Sequence, residues 1–274
     1  MSHNRQKKIA VINDFCGFGR CSIATSLPII SAMKIQCCPL PTSIFSNHTG
    51  YDSFFYTDYT EHMNQYIDEW VKLNLSFNGI LTGFLGSPEQ IGIVKRFFEL
   101  FKSDDYIIVF DPVMGDNGKL YPTYSPLLAK QMASLVAYAD ILTPNLTEAC
   151  ILTNTEYKED MSEFELEEIC EKLNAMGPRK IVISGLDCGD MLENFVYEQG
   201  TEPQIIREYK VGPCRAGPGD VFSSIIAADA VNGIEFSDAV RHATSFIAKV
   251  LNRTIELGLP ETDGICFEEF LREI

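Results

Sequence analysis

The chain has 274 residues, of which 38 are acidic and 22 basic, and its formal net charge is −16. This excess of negative charge would repel a phosphate backbone, so we expect no nucleic-acid partner. The sequence has no apolar run near the roughly 18 to 20 residues that span a bilayer and no signal peptide, so we expect no membrane partner and a cytoplasmic location. The length suits a single α/β domain over residues 1–274.

Short apolar runs typical of β-strands alternate along the chain with segments of helical periodicity. The predicted strands lie at residues 9–12, 79–84, 106–110, 140–142 and 180–184. The predicted helices lie at residues 61–73, 88–101, 162–176 and 237–251. Two further β-like runs, at 195–197 and 204–206, flank a turn-forming segment and predict an antiparallel hairpin. The alternation predicts a largely parallel sheet that is covered by helices.

Polar residues follow several of the predicted strands. Asn13 and Asp14 come after the first strand, Thr143 and Asn145 after the strand at 140–142, and Ser184 ends the strand at 180–184. Ligands of open α/β sheets bind at the carboxyl ends of the strands. We therefore expect one crevice to collect these residues.

Residues 216–220 form an Ala-Gly-Pro-Gly-Asp turn that runs directly into an apolar, helix-like segment. Such a turn presents backbone N–H groups and the positive end of a helix dipole to an anion. Asp220 in the first turn can orient a hydroxyl group and accept its proton, as phosphoryl transfer to an alcohol requires. The pattern favours a small-molecule kinase, although it is also an ordinary signal for a turn before a helix.

Oxygen-bearing side chains cluster in two further segments. Asp111 and Asp116 bracket a loop that contains proline and glycine, and Asn145 and Glu148 are spaced to share one helical face. Such ligands suit Mg²⁺ beside nucleotide phosphates, bound directly or through water. Each residue alone is equally consistent with an ordinary turn or helix start, so the interpretation depends on their joint occurrence.

Over nearly its whole length the chain resembles the ribokinase-like superfamily, and within it the pyridoxal and pyridoxamine kinases. The motifs that carry the resemblance are Phe-Ser-Asn-His-Thr-Gly-Tyr at 45–51, Thr-Gly-Phe at 82–84, Asp-Pro-Val-Met-Gly-Asp at 111–116, Thr-Pro-Asn at 143–145 and the turn at 217–220. The resemblance implies a three-layer α/β/α sandwich with a mostly parallel central sheet and a small antiparallel hairpin. It also implies ATP-dependent phosphorylation of the 5′-hydroxymethyl group of pyridoxal, pyridoxamine or pyridoxine.

The resemblance implies a role for each candidate residue. Asp220 would be the catalytic base, and the backbone amides of Gly217, Gly219 and Asp220 would form the anion hole. The residues that would bind the nucleotide and its Mg²⁺ are Asp111, Asp116, Tyr121, Thr143, Asn145, Glu148, Ser184 and Pro218, with Asp111, Asn145 and Glu148 organising the metal. Those that would contact or enclose the pyridine ring are Asn13, Thr49, Phe84 and His48, with His48 acting mainly as an organiser of its loop. ATP, Mg²⁺ and K⁺ would be required, and the protein would be a homodimer.

Three departures from the family pattern leave alternatives open. Pro218 replaces a common threonine and removes one N–H from the anion hole, or else makes the turn more rigid. Asn13 stands where serine is frequent and Phe84 where tyrosine is frequent, and both changes bear on the preferred vitamer. A hydroxymethylpyrimidine kinase of thiamine synthesis and a non-catalytic protein that binds a vitamer or a nucleotide remain alternatives. Asp220 favours the pyridine substrate, because many of the pyrimidine kinases have cysteine there.

Overall fold

The computed structural model describes residues 3–103, 106–213 and 215–274. The strands in these ranges are β1 Lys8–Phe18, β2 Gln36–Asn47, β3 Tyr56–Asp58, β4 Gly79–Thr82, β5 Ile107–Phe110, β6 Gly115–Asp116, β7 Lys119–Leu120, β8 Ile141–Leu142, β9 Lys180–Cys188, β10 Met191–Glu198 and β11 Gln204–Tyr209. Nine of these described strands form one sheet in the order β11-β10-β9-β8-β5-β4-β1-β2-β3, and β6 pairs with β7 in a separate hairpin. The strands from β9 to β2 are parallel, while β10, β11 and β3 are antiparallel to their neighbours.

Helices cover both faces of the sheet. They are α1 Ser22–Ala32, α2 Thr60–Lys72, α3 Pro88–Leu100, α4 Pro126–Val136, α5 Leu146–Thr153, α6 Glu163–Asn174, α7 Pro218–Asn232 and α8 Phe236–Glu256. Successive strand residues point to opposite faces, so Ile80 packs with the α2–α6 layer and Leu81 with the layer of α1, α7 and α8. The expected three-layer α/β/α sandwich with a mostly parallel sheet and an antiparallel hairpin is confirmed. None of the helices in the described ranges combines the length and the apolar composition of a membrane span.

The first strand differs from its prediction. The sequence predicts that it ends at residue 12, but β1 continues to Phe18, so Asn13 and Asp14 lie inside the strand rather than after it. The pairing of β1 with β2 shifts register between Asn13 and Phe15. An irregularity of this kind changes the direction in which neighbouring side chains point. Asn13 and Asp14 thereby reach the carboxyl end of the sheet.

Strand β2 is absent from the predicted strands, because Pro39 and Pro41 argue against a strand in its first half. The structure accommodates both prolines at an edge. Strand β3 pairs with β2 only at Ser43, Ile44 and Phe45, so the earlier half of β2 has a neighbour on the β1 side alone. A proline is tolerated where its missing N–H faces no partner strand.

Helices α7 and α8 are joined by an ion pair, with Nδ1 of His242 2.7 Å from Oδ2 of the buried Asp229. The hydrogen bond to Asp229 raises the pKa of His242. A group whose pKa is raised on folding stabilises the protein fully below its unfolded pKa of about 6.5, and this contribution is lost as the pH rises through the folded pKa. We therefore expect His242→Gln to lower the free energy of unfolding more at about pH 5.5 than at about pH 8.5. Urea denaturation at the two pH values measures this difference, and an equal effect at both would contradict it.

Candidate active site

A cavity of about 520 Å³ opens at the carboxyl ends of the central strands. Five residues predicted for the site line it, namely His48, Thr49, Phe84, Tyr121 and Asp220, and Gly217 of the glycine turn lines it as well. These residues come from four separate segments of the chain. The structure therefore brings together most of the predicted ring-binding residues and the predicted base.

The glycine turn forms the N-terminus of α7. Gly217 is the N-cap residue and has a φ of 90°, and a β-carbon at this position would overlap the carbonyl oxygen of Arg20. Pro218 occupies the first helical position, where a helix makes no use of an N–H group. The first intrahelical hydrogen bond runs from the N–H of Val221 to the carbonyl of Gly217, at 3.1 Å. The amides of Gly219 and Asp220 precede it and have no acceptor within the helix, so they are available to an anion.

Asp220 is held by two hydrogen-bond donors from the neighbouring strand and loop. Nδ2 of Asn13 lies 3.3 Å from Oδ1 of Asp220, and the backbone N–H of Ser22 donates to the same carboxylate. Desolvation raises the pKa of Asp220 above its usual range, and these hydrogen bonds partly oppose the rise. A carboxylate that is fixed in direction and more basic than usual is suited to accept a proton from a bound hydroxyl group.

The amide of Asn13 joins two walls of the cavity. Its Oδ1 atom accepts hydrogen bonds from the backbone N–H of Asp14, at 2.9 Å, and of Phe84, at 2.8 Å. The Phe84 ring packs edge to face against Phe45, with ring centroids 6.0 Å apart. Phe45 also lines the cavity. Asn13 thus positions Asp220 and an aromatic wall through one side chain, although a ring-binding role for it stays a prediction.

Both ring nitrogens of His48 form hydrogen bonds with backbone groups of residues that line the cavity. Nε2 lies 2.7 Å from the carbonyl oxygen of Thr262, and Nδ1 accepts a hydrogen bond of 3.1 Å from the N–H of Gly50. This pattern assigns the proton to Nε2. The contacts tie the loop at residues 48–50 to the segment at 261–263. The role of His48 as an organiser of its loop stays a prediction.

Asn145 and Glu148 form a capping box at the start of α5. Oδ1 of Asn145 accepts a hydrogen bond from the N–H of Glu148, and Oε2 of Glu148 accepts one from the N–H of Asn145, both at 2.9 Å. Oε1 of Glu148 accepts a further bond from the N–H of Met114, at 3.0 Å, and Nδ2 of Asn145 donates to the carbonyl of Gly115, at 2.8 Å. The two side chains therefore fix the loop that follows β5 as well as the helix.

Three acids, Asp111, Glu148 and Asp220, share this edge of the sheet. Burial, together with the charges of Glu148 and Asp220, raises the pKa of Asp111. Burial also raises the pKa of Glu148 to about 8, although it accepts several backbone hydrogen bonds. Within the described ranges, no lysine or arginine forms an ion pair with any of the three. A cation at this edge would relieve their mutual repulsion.

The donor set fits a hydrated Mg²⁺ better than a directly chelated ion. Asn145 and Glu148 already bind backbone groups, and among residues 3–103, 106–213 and 215–274 no three His, Cys, Asp or Glu side chains converge on one point. Mg²⁺ commonly keeps several waters and takes only one or two carboxylates from the protein. Asp111 and Glu148 would hold such an ion mainly through its waters, so the magnesium site stays a prediction.

The remaining predicted nucleotide residues lie around the same edge. Thr143 is buried, and its hydroxyl has no hydrogen-bond partner within the described part of the chain. Asn145 and Ser184 are bridged as parallel neighbours, which continues the pairing of β8 with β9. Asp116 accepts a hydrogen bond of 2.8 Å from the N–H of Asn117, and the N–H of Tyr121 donates to the carbonyl of Met114, at 2.9 Å. Among these residues, Thr143 has a buried hydroxyl group that is left without a hydrogen-bond partner in the described part of the chain. The nucleotide-binding roles of all of them stay predictions.

The sequence analysis expected Asp14 in the crevice but gave it no function, and it did not single out Cys21 or Ser22, which also lie in the cavity wall. Asp14 adjoins Asn13 in the sequence. An acid next to a predicted ring-binding residue could have been recognised as a further candidate for the site. Ser22 begins α1 with a φ of 55°, and nothing in a serine's identity predicts that backbone conformation. Cys21 precedes it and offers no pattern by which it could have been recognised.

Comparison with known proteins identifies the class as the kinases of the ribokinase-like fold. A family model described as phosphomethylpyrimidine kinase matches residues 22–264, and the chain belongs to this family. A pyridoxal kinase of Arabidopsis thaliana is 29% identical over 228 residues, which cover 80% of this chain and 72% of the relative. The chain is therefore a kinase, and the expected relationship to pyridoxal kinases is confirmed.

Solved structures agree with this assignment. A crystal structure of a putative phosphomethylpyrimidine kinase from Bacteroides thetaiotaomicron is 38% identical, with a TM-score of 0.96, and the match covers 100% of this chain and 95% of that one. An orthorhombic crystal form under the same name, with pyridoxal, is 37% identical, with a TM-score of 0.95 and coverage of 98% and 96%. The similarity extends through the whole of the fold that positions the cavity.

Proposed function

We propose that this kinase transfers the γ-phosphoryl group of ATP to the 5′-hydroxymethyl group of a vitamin B6 vitamer. The observation that carries the proposal is the position of Asp220, which lies at the N-terminus of α7 beside free backbone amides and in a cavity with an aromatic wall. A flat ring with polar edges requires an aromatic face and a few hydrogen-bonding groups. The relatives that are called pyridoxal kinases and the Bacteroides structure with pyridoxal support the choice of substrate.

In the proposed reaction the carboxylate of Asp220 takes the proton of the substrate hydroxyl. The hydroxyl oxygen then bonds to the γ-phosphorus as the bond from that phosphorus to the β-phosphate oxygen breaks, which leaves ADP. The amides of Gly217, Gly219 and Asp220 stabilise the charge on the transferred group. When bound, Mg²⁺ neutralises charge on the phosphates, and Asp111, Asn145 and Glu148 would organise its waters. The side chains proposed along the nucleotide are those of Asp116, Tyr121, Thr143, Ser184 and Pro218.

A second candidate substrate is a hydroxymethylpyrimidine, because the family description and the name of the Bacteroides relative both refer to phosphomethylpyrimidine. Phosphorylation of a hydroxymethylpyrimidine needs the same base and the same anion hole, so the position of Asp220 does not distinguish the two kinds of ring.

The pyridine substrate is preferred here for two reasons. Asp220 stands where many of the pyrimidine kinases have cysteine, and pyridoxal is named with a structure 37% identical to this chain.

We also propose that the protein is a homodimer. The large exposed side chains near edge strand β3 include Phe54, Phe55 and Tyr56, and the Phe55 side chain is 71% exposed. Clusters of exposed apolar side chains often mark protein interfaces, and a second copy of the chain would cover this one. The requirement for K⁺ and the cytoplasmic location are proposed from the family resemblance alone.

The test is ATP-dependent product formation by the purified protein with Mg²⁺ and K⁺. Pyridoxal, pyridoxamine, pyridoxine and hydroxymethylpyrimidine are supplied separately, and each product is identified by its mass. We expect phosphorylated pyridine vitamers and release of ADP. Product from hydroxymethylpyrimidine alone would contradict the proposed substrate and indicate a kinase of thiamine synthesis instead. Binding without any product would favour the non-catalytic alternative, with Pro218 as the damaged part of the anion hole.

A further inference from the structure

Three acids line the cavity, namely Asp220, Asp14 and the exposed Glu261, and Asp14 is a buried one with no part in the proposed transfer. It lies at the register shift of β1, lines the cavity and is only 7% exposed. The hydroxyl of Ser22 donates to the carboxylate of Asp14, while the N–H of the same Ser22 donates to Asp220. One residue therefore holds the two carboxylates side by side.

Ser22 performs this bridging in a strained conformation. Its φ of 55° lies in the left-handed region, which a serine adopts only at an energetic cost. Strain of this kind persists where the surrounding structure imposes it, commonly at functional sites. The loop before α1 thus keeps Ser22 in an unfavourable backbone conformation, in which it bonds to both Asp14 and the base Asp220.

The carboxylate of Asp14 has hydrogen-bond donors but no cation. Burial and the negative charge of Asp220 raise the pKa of Asp14 to about 7. The guanidinium group that lines the cavity belongs to Arg215, and its Nη1 atom donates to the carbonyls of Leu259 and Pro260, each at 2.9 Å. No ion pair to Asp14 is found within the described ranges. A buried carboxylate without a cation is costly, so a ligand that brings a cation would be favoured there.

The B6 vitamers differ at a single ring substituent, which is the neighbour of the hydroxymethyl arm. The substituent is an aldehyde in pyridoxal, a hydroxymethyl group in pyridoxine and a protonated aminomethyl group in pyridoxamine. The other position beside the arm carries only hydrogen. Asp14 and Asp220 line the same cavity, and the charge of Asp220 acts on Asp14. If Asp220 faces the reacting hydroxyl, as in the proposed reaction, Asp14 would lie beside the arm, where this substituent distinguishes the three vitamers.

We propose that Asp14 selects the vitamer with an aminomethyl group beside its hydroxymethyl arm, so that the enzyme prefers pyridoxamine. This inference rests on the proposed function. Both an ammonium group and the hydroxyl of pyridoxine can donate a hydrogen bond to the carboxylate, but only the ammonium group brings a positive charge that offsets the buried negative charge. The aldehyde oxygen of pyridoxal is only an acceptor and is repelled by the carboxylate. A hydrogen bond between charged groups implies a preference of about 10- to 100-fold over pyridoxine.

The experiment compares kcat/KM for the three vitamers in the wild-type protein and in the Asp14→Asn variant. We expect the wild type to favour pyridoxamine over pyridoxine by at least about tenfold, and the variant to bring this ratio close to one. Asp52→Asn is the matched control, because Asp52 is an exposed acid outside the cavity wall. It removes the same charge from the chain and should keep the wild-type ratio.

The possible results separate the two proposals. If the wild type phosphorylates the vitamers but its ratio of pyridoxamine to pyridoxine is below about threefold, or if Asp14→Asn keeps the wild-type ratio, the role of Asp14 is overturned. If no vitamer is phosphorylated, the proposed function itself fails. Should Asp14→Asn not fold, as judged by circular dichroism, calorimetric binding of pyridoxamine and pyridoxine to the wild type decides. Equal affinities for the two would reject the inference, and tighter binding of pyridoxamine would support it.

Discussion

Replacing Asp220 with asparagine is expected to lower kcat by about 10²- to 10⁴-fold while vitamer affinity stays within a few fold. The amide keeps the size of the carboxylate, and its single oxygen can still accept at least one of the hydrogen bonds from Asn13 and Ser22. It cannot take the proton of the substrate hydroxyl. Binding and proton transfer should therefore separate, as expected for a group whose contribution arises in the transition state.

Steady-state release of ADP gives kcat for the Asp220→Asn variant, and calorimetric titration with the vitamer gives its affinity. Asp238→Asn serves as the control, because the Asp238 side chain is 67% exposed on α8. It should behave like the wild type in both measurements. Undiminished turnover in Asp220→Asn would show that another group accepts the proton, and would leave Asp220 only a positioning role.

The sequence predicted the glycine turn and its acid well because both depend on residue types with narrow uses. A Gly-x-Gly-Asp run before an apolar helix is typical of a tight turn that leads into the helix. The structure has this arrangement, with Gly217 at a positive φ and Asp220 in the first turn of α7. The capping box of Asn145 and Glu148 was also within reach of the sequence, since its spacing of three residues has a direct geometric meaning.

Other parts of the site depend on tertiary contacts that local patterns do not contain. Asn13 was expected after a strand and lies within one, because β1 gains six further residues by pairing with β2 beyond residue 12. The hydrogen bonds of Ser22 arise from a loop conformation fixed by its packing beside the glycine turn. The relation of Asp14 to Asp220 follows from that loop, so it became visible only in three dimensions.

The two glycines of the turn should respond very differently to alanine. At Gly217, with its φ of 90°, a β-carbon would overlap the carbonyl oxygen of Arg20, whereas at Gly219 a β-carbon would meet no atom within 4 Å. Gly217→Ala is therefore expected to lower the free energy of unfolding by at least about 2 kcal/mol. Gly219→Ala should leave this free energy unchanged or slightly raised, because alanine favours a helical backbone.

The effect at Gly217 should extend to catalysis, because displacement of Arg20 or of the turn moves the amides that face the transferred phosphoryl group. We expect Gly217→Ala to lower kcat by about 10²-fold or more, comparable to the loss of one oxyanion donor. Urea denaturation of the two variants and of the wild type measures stability, and release of ADP measures turnover. If Gly217→Ala were as stable as Gly219→Ala, the close approach of the β1–α1 loop to the turn would not hold in solution. The strained Ser22 contacts, which depend on the same loop, would then lose their structural basis.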